Sequence, residues 1–240
     1  MDNLTLAIFI TLPIVIVLLT VLFLIVRIKK NPIYGMLTKI LPSLGFVLFG
    51  VLGLTLRFLE VSYGAPLIVM GLVLGLVGDI LLDLKRAHKE FEESYLWTGM
   101  YAFIIGHVFY LAGFLLIADV YDIDLLLPTI VPLAIAAVMA PVTLIVSEKV
   151  IKAEFGKFRI ISTAYAGLLV YITVVMVWLA ATNTEFILPA IGMVLFLFSD
   201  LVLSQMYFVK GKAEDKSLVI INHSAYYAAQ ILIAASLFIL

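Results

Sequence analysis

Eight apolar stretches, each about as long as a helix that crosses a lipid bilayer, divide this chain. A membrane-spanning helix requires roughly 20 consecutive, mostly apolar residues. Short segments that contain charge, glycine or proline separate the stretches, which cover residues 4–26, 36–59, 64–84, 95–117, 124–146, 158–180, 186–208 and 218–240. We therefore predict an all-α polytopic membrane protein in which eight transmembrane helices form one bundle and a single transmembrane domain, residues 1–240.

Composition supports this class and excludes several functions. Hydrophobic residues make up 65% of the 240 residues and charged residues 13%, whereas a soluble domain is about half apolar and about a quarter charged. The 15 Lys and Arg do not outnumber the 16 Asp and Glu, so no basic excess exists for binding nucleic acid. Cysteine is absent, which excludes disulfides, thiol nucleophiles and cysteine-ligated metals.

Basic residues predict how the helices are oriented, because cytoplasmic loops are enriched in Lys and Arg. They cluster after the first, third, fifth and seventh stretches, whereas the opposite loops carry acidic residues such as Glu60, Asp119, Asp122 and Glu185. We therefore expect both termini on the non-cytoplasmic side. The lack of soluble extensions favours a bacterial inner membrane. The basic clusters contain Arg27, Lys29, Lys30, Lys85, Arg86, Lys89, Lys149, Lys152, Lys157, Arg159, Lys210, Lys212 and Lys216.

The two halves of the chain share a pattern. Residues 71–83 (GLVLGLVGDILLD) and 192–204 (GMVLFLFSDLVLS) are identical at six of thirteen positions, including a glycine and an aspartate eight residues apart. The repeating unit would contain four helices, so both copies would enter the membrane from the same side. We predict a parallel duplication with units 1–120 and 121–240.

The ionisable residues Asp79, Asp200, Lys39 and His107 all lie within apolar stretches. A charged side chain at mid-helix costs on the order of 3 kcal/mol, so such residues usually face a partner or a cavity. At about 1.5 Å per residue, the two aspartates and Lys39 lie in the cytoplasmic half of the membrane. We expect the aspartates to converge in a shared wet pocket that opens toward the inner leaflet.

A structural alternative exists for these groups. Each aspartate would then only neutralise Lys39 or join two helices by a hydrogen bond. Lys39 itself either forms an ion pair or binds a phosphate. His107, which packs against Tyr110, either belongs to the site or satisfies a buried hydrogen bond.

Other polar residues near these positions are candidates for the pocket. Asp83 lies one helical turn from Asp79 and beside Lys85, which predicts a residue at the entrance. On the last stretch, Tyr226, Tyr227 and Gln230 are candidates for lining the cavity. For His223, near the start of its helix, we favour a structural role.

Together these residues resemble the YhhN family, whose best-known members are lysoplasmalogenases, integral membrane hydrolases with eight helices. The resemblance extends from Lys39 to the end of the chain and rests on the order and spacing of its pieces. The matching residues are Lys39; Gly78, Asp79, Leu81 and Leu82; Gly99, Phe103, Gly106, His107 and Tyr110; Phe198, Ser199 and Asp200; and Tyr226, Tyr227, Ala228, Ala229 and Gln230.

What the resemblance implies is hydrolysis of the vinyl ether bond of a lysoplasmalogen, with a lysophospholipid in the membrane as the partner molecule. This chemistry requires two carboxyl groups, as glycoside hydrolysis does. Asp79 and Asp200 are the candidate catalytic pair, without a decision on which is the acid. Lys39 is placed to be the cation that keeps one of the two acids ionised, and no cofactor or metal is expected. The candidate substrate-binding or orienting residues are Lys39, Asp83, His107, Tyr110, Tyr226, Tyr227 and Gln230.

Two rival functions remain open. The aspartates with His107 and His223 have the ligand types of a divalent metal site, which would make the protein a metal-dependent lipid ester or amide hydrolase. Paired acids in a duplicated bundle also suit a proton-coupled transporter. The oligomeric state, head-group preference and chain-length preference are not determined by the sequence.

Overall fold

The computed structural model describes residues 1–29, 32–57 and 63–240, and these residues contain eight long α-helices. All eight are long and apolar enough to cross a membrane, which confirms the predicted all-α fold with eight spans. Lys30 and Glu60, used above for the orientation, lie outside the described residues. The helices are α1 (Asn3–Lys29), α2 (Pro32–Leu56), α3 (Ala65–Ala87), α4 (Glu92–Val120), α5 (Leu126–Lys149), α6 (Arg159–Thr182), α7 (Ile187–Phe208) and α8 (Lys216–Ser236).

The helices group into two compact units. Unit 1 comprises Met1–Tyr121 with Gln230–Leu240, and unit 2 comprises Asp122–Ala229. Helices α1 to α4 thus belong to unit 1 and α5 to α7 to unit 2, while α8 contributes residues to both. The duplication and the single domain stay predictions.

Within unit 1, α3 and α4 approach closely through glycines spaced seven residues apart. Gly64, directly before α3, lies against Gly113 of α4, and Gly71 of α3 lies against Gly106 of α4. A Cβ added at Gly71 would lie 2.4 Å from the ring of Tyr110 and 2.9 Å from the Gly106 carbonyl oxygen. Without a hydrophobic driving force between helices in lipid, small residues let backbones pack closely. The glycine spacing therefore sets the antiparallel register of the two helices that carry Asp79 and His107.

The end of the chain packs inside unit 1. The ring of Phe238 stacks on Phe49 with centroids 4.8 Å apart and meets Phe9 edge-on at 5.6 Å. The Arg57 guanidinium donates a hydrogen bond of 2.8 Å to the Phe238 carbonyl. These contacts hold residues 237–240 against α1 and α2.

Unit 2 is held together by polar links as well as apolar packing. The Thr173 hydroxyl on α6 donates to the Met193 carbonyl on α7 at 3.4 Å, and the Glu154 amide donates to the Phe208 carbonyl at 2.7 Å. Helix α5 exposes most of its apolar side chains, and only 17% of its most apolar window is buried. That exposed surface suits contact with lipid tails.

The glycine packing predicts a stability difference. Gly71→Ala would place a methyl carbon 2.4 Å from ring atoms of Tyr110, and such overpacking typically costs about 1–3 kcal/mol. We expect a lower midpoint in thermal unfolding of the purified protein in detergent. Gly167→Ala is the matched control, because its Cβ would meet only the Ala140 Cβ at 3.2 Å. Alanine is favoured over glycine in helices by about 1 kcal/mol, and this gain offsets the cost of the close contact with Ala140. The unfolding midpoint of the control should therefore stay close to that of the wild-type protein. Equal effects of the two changes would contradict the close packing.

The orientation can be tested with single cysteines, since the native chain has none. Asp122 and Lys149 are both exposed. Asp122 lies four residues before the start of α5, and Lys149 is the last residue of that helix. In intact cells, an impermeant thiol reagent should label Asp122→Cys, and it should label Lys149→Cys only after permeabilisation. The reason is that basic residues are retained on the cytoplasmic side. The unmodified protein is the unlabelled control, and the reverse labelling pattern would contradict the predicted orientation.

Candidate functional site

Asp79 of α3 lies in a buried polar cluster of unit 1 that α2 completes. Its side chain is 5% exposed, and its Oδ1 lies 3.0 Å from the Lys39 ammonium. The Ser43 hydroxyl donates a hydrogen bond of 2.7 Å to its Oδ2. Lys39 and Ser43 are four residues apart on α2, so both face α3. Each oxygen of the Asp79 carboxylate therefore has its own donor from α2.

Lys39 also approaches a second carboxylate. Its ammonium lies 3.8 Å from Asp83 Oδ2, and Arg86 Nε lies 3.7 Å from Asp83 Oδ1. The two positive and two negative groups alternate along the cluster, so their formal charges cancel. Burying a charge is very costly unless it is paired. Of the two roles considered for Lys39, the ion pair is the one that this geometry contains.

Asp83 is enclosed rather than exposed at an entrance. The residue is 5% exposed, because Lys39 and Arg86 flank its two oxygens. This corrects the expectation drawn from its position beside Lys85. Its Oδ2 atom is buried and has no hydrogen-bond partner among residues 1–29, 32–57 and 63–240.

His107, Tyr110 and Gln230 form a second buried group in unit 1. His107 is fully buried and its Nδ1 lies 2.7 Å from the Phe103 carbonyl oxygen, while its ring meets Tyr110 edge-on at 5.7 Å. The Tyr110 hydroxyl donates to Gln230 Oε1 at 2.8 Å. The bond between Tyr110 and Gln230 joins α4 to α8, and the contact of His107 with Phe103 lies within α4, so the three residues have a clear structural role. Their orienting role stays a prediction.

Asp200 of α7 lies in unit 2 and is bonded to α6. The Tyr165 hydroxyl donates a hydrogen bond to Asp200 Oδ2. The neighbouring residue, Ser199, is fully buried and accepts two hydrogen bonds from Asn222 Nδ2 of α8, at 2.9 Å to its carbonyl and 3.0 Å to its hydroxyl. Helices α6 and α8 therefore position residues 199 and 200 of α7.

The other candidates on α8 pack among aromatic rings. Tyr226 meets Phe196 edge-on at 5.4 Å and Tyr227 at 5.1 Å, and both tyrosines are buried. His223 Nδ1 lies 2.8 Å from the Val219 carbonyl oxygen, which is the local bond expected of a structural histidine. A role for Tyr226 or Tyr227 in lining a cavity stays a prediction.

Three of these polar residues were not predicted from the sequence, namely Ser43, Tyr165 and Asn222. Each is a polar residue within an apolar stretch, and Ser43 also follows Lys39 by one helical turn. That spacing was the available signal for Ser43. For Tyr165 and Asn222 no such signal existed, because their partners lie on other helices.

A metal site was one of the open alternatives. Throughout the part of the chain that the structure describes, no group of three or more His, Asp or Glu side chains is placed to hold a metal ion. The metal-dependent alternative combines Asp79 and His107 of unit 1 with Asp200 and His223 of unit 2, so it stays a prediction. Asp79 and Asp200 belong to different units, and their convergence stays a prediction.

The buried ion cluster predicts a large effect of removing its central cation. Lys39→Met would leave Asp79 and Asp83 without their shared counter-ion, and breaking a buried pair costs about 3–5 kcal/mol. We expect a clearly lower unfolding midpoint in detergent, partly restored by combining Lys39→Met with Asp79→Asn.

Lys212→Met is the matched control for this experiment. Lys212 pairs with Asp215 at 3.2 Å, but its side chain is 48% exposed, and exposed pairs contribute little. A Lys39→Met protein as stable as the Lys212→Met protein would contradict the buried cluster.

No curated protein and no solved structure matches the chain. The model of the YhhN family matches residues 34–237, which include the Lys39 cluster, His107, Asp200 and the polar residues of α8. The chain therefore belongs to the YhhN family.

Proposed function

We propose that this protein is a membrane hydrolase that cleaves the vinyl ether bond of lysoplasmalogens to a fatty aldehyde and a glycerophospho-alcohol. The observation that carries the proposal is the buried Asp79 carboxylate, held by Lys39 and Ser43 inside a membrane span of a YhhN family member. Intramembrane acids mark functional sites by default. Acid–base cleavage of a lipid requires a carboxylate that neighbouring side chains hold in position, as Lys39 and Ser43 hold Asp79.

The reaction has three steps. A proton is added to the alkene carbon distal to the ether oxygen, which creates an oxocarbenium ion. Water then attacks the carbon beside that oxygen and loses a proton. The resulting hemiacetal loses the proton of its hydroxyl group and breaks its bond to the glycerol oxygen, which yields the aldehyde. The glycerol oxygen takes up a proton and leaves as the alcohol. One carboxylic acid and one carboxylate meet these demands, as they do in glycoside hydrolysis.

The surroundings of the two aspartates suggest how the roles are divided. Lys39 and Ser43 compensate a negative charge on Asp79, so Asp79 serves as the carboxylate that stabilises the cation and activates water. Asp200 then supplies the proton. Tyr165 bonds Asp200 through a hydroxyl, which can both donate and accept. The phenol is therefore compatible with either protonation state of Asp200.

A lysophospholipid suits a site at this depth. Its single chain remains among the lipid tails while the reacting bond, next to the glycerol, reaches the polar cluster. The proposed orientation places the head group at the cytoplasmic leaflet of a bacterial inner membrane. Lys39 is engaged by Asp79 and Asp83, so phosphate binding by Lys39 is not part of this proposal.

Aldehyde release from a vinyl ether lysolipid tests the proposal. We expect activity in the purified wild-type protein and a loss of about 10²- to 10⁴-fold in Asp79→Asn and in Asp200→Asn, the range typical of general acid–base groups. Residues that act as a unit are non-additive, so the double variant should be about as inactive as either single variant.

Asp119→Asn is the matched control, because Asp119 is exposed near the end of α4 and makes the same change in charge. It should keep wild-type activity. Full activity of Asp200→Asn, or no aldehyde from the wild-type protein, would contradict the proposal; the second result is also what a transporter would give.

A further inference from the structure

One carboxylate oxygen of Asp83 in the polar cluster lacks a hydrogen-bond donor among the described residues. Its side chain is 6% exposed, and its buried Oδ2 has no hydrogen-bond partner in the described part of the chain. Its two cations lie 3.8 Å and 3.7 Å away, which is beyond hydrogen-bond length. Lys39 and Arg86 thus balance the charge of Asp83, while its Oδ2 remains without a hydrogen-bond donor within the described ranges.

Asp79, one turn earlier on the same helix, differs in this respect. Both of its oxygens are engaged within 3.0 Å, one by Lys39 and one by Ser43. A buried acceptor that lacks a donor is costly, and native proteins rarely leave one without a reason. Asp83 Oδ2 is therefore open to a donor that the described residues do not supply, whereas both oxygens of Asp79 already have one.

The position of Asp83 indicates which donor it is. Asp83 lies four residues, or about 6 Å along α3, from Asp79. In the substrate class proposed above, the free hydroxyl on the middle glycerol carbon is four covalent bonds from the vinyl ether carbon that water attacks, a reach of about 5 Å. A substrate with its reacting carbon at Asp79 can therefore place that hydroxyl at Asp83.

We propose that Asp83 accepts a hydrogen bond from this glycerol hydroxyl and thereby selects lysolipids over lipids that carry a second chain. The inference rests on the proposed function. An acylated oxygen has no proton to donate, so a two-chain lipid leaves the buried Oδ2 unsatisfied. Sites built to bond a hydroxyl discriminate strongly against analogues that lack it, because their own polar groups stay unpaired.

The head group is a poorer match for Asp83. A choline nitrogen carries no N–H donor, and the amine of an ethanolamine head group lies several bonds beyond the phosphate. Only the middle-carbon hydroxyl is both a donor and at the required distance. Recognition at Asp83 is therefore expected to be independent of the head group.

The test measures binding rather than turnover. A saturated ether lysolipid, which has no vinyl ether to cleave, is compared with its counterpart in which hydrogen replaces the middle hydroxyl. Isothermal titration calorimetry uses the full-length protein in nanodiscs. We expect the hydroxyl lipid to bind wild type about 10- to 100-fold more tightly, the range for a bond to a charged acceptor. In Asp83→Asn this ratio should fall several-fold, and in Asp83→Ala it should approach one.

Controls keep the outcome decisive. Asp119→Asn should retain the wild-type ratio. Equal binding of the two lipids by wild type overturns the inference even if the Asp83 variants do not fold, and an unchanged ratio in a folded Asp83→Ala protein overturns it too. The aldehyde assay on wild type is run in parallel. No aldehyde together with an Asp83-dependent hydroxyl preference would refute the hydrolysis and support the binding role of Asp83.

Discussion

The ion pair between Lys39 and Asp79 is the interaction on which the candidate site depends. A single lysine on α2 lies between two carboxylates of α3, at 3.0 Å from Asp79 and 3.8 Å from Asp83. Neither charge is tolerable alone inside a membrane span, since removal from water costs more than most single interactions return. The cluster is stable as a whole because its positive and negative groups alternate and cancel, which allows a carboxylate to persist where lipid would otherwise exclude it.

Close helix packing makes this cluster possible. The glycines of α3 and α4 bring the two backbones together, while Asp79 on an adjacent face of α3 meets Lys39 and Ser43 of α2. In lipid, such contacts replace the hydrophobic effect as the source of helix association. The same packing buries His107 and Tyr110 on α4, whose hydrogen bonds to Phe103 and Gln230 satisfy polar groups that lipid cannot. Stability and site geometry in unit 1 thus have a common origin.

The two aspartates have different surroundings, and this difference is the basis of the proposed chemistry. Asp79 has a cation and a hydroxyl as neighbours, whereas Asp200 is half-buried and bonded to the Tyr165 phenol. Two carboxyl groups can act as acid and base when their environments favour different protonation states. Asp83 differs from both, because its charge is balanced while its Oδ2 lacks a donor. That combination suits recognition of a hydroxyl more than proton transfer.

The sequence alone determined the eight spans, because a run of about 20 apolar residues has few alternatives to a membrane helix. It also identified Lys39, Asp79 and Asp200, since charge within an apolar stretch is conspicuous. Only the tertiary structure decided which partners these groups have. Ser43 and Tyr165 are ordinary residues until a neighbouring helix brings a carboxylate to them, and Asp83 was expected at an entrance until Lys39 and Arg86 enclosed it. The physical reason is that helix periodicity fixes contacts within one helix, whereas contacts between helices depend on rotation and register, which close packing sets.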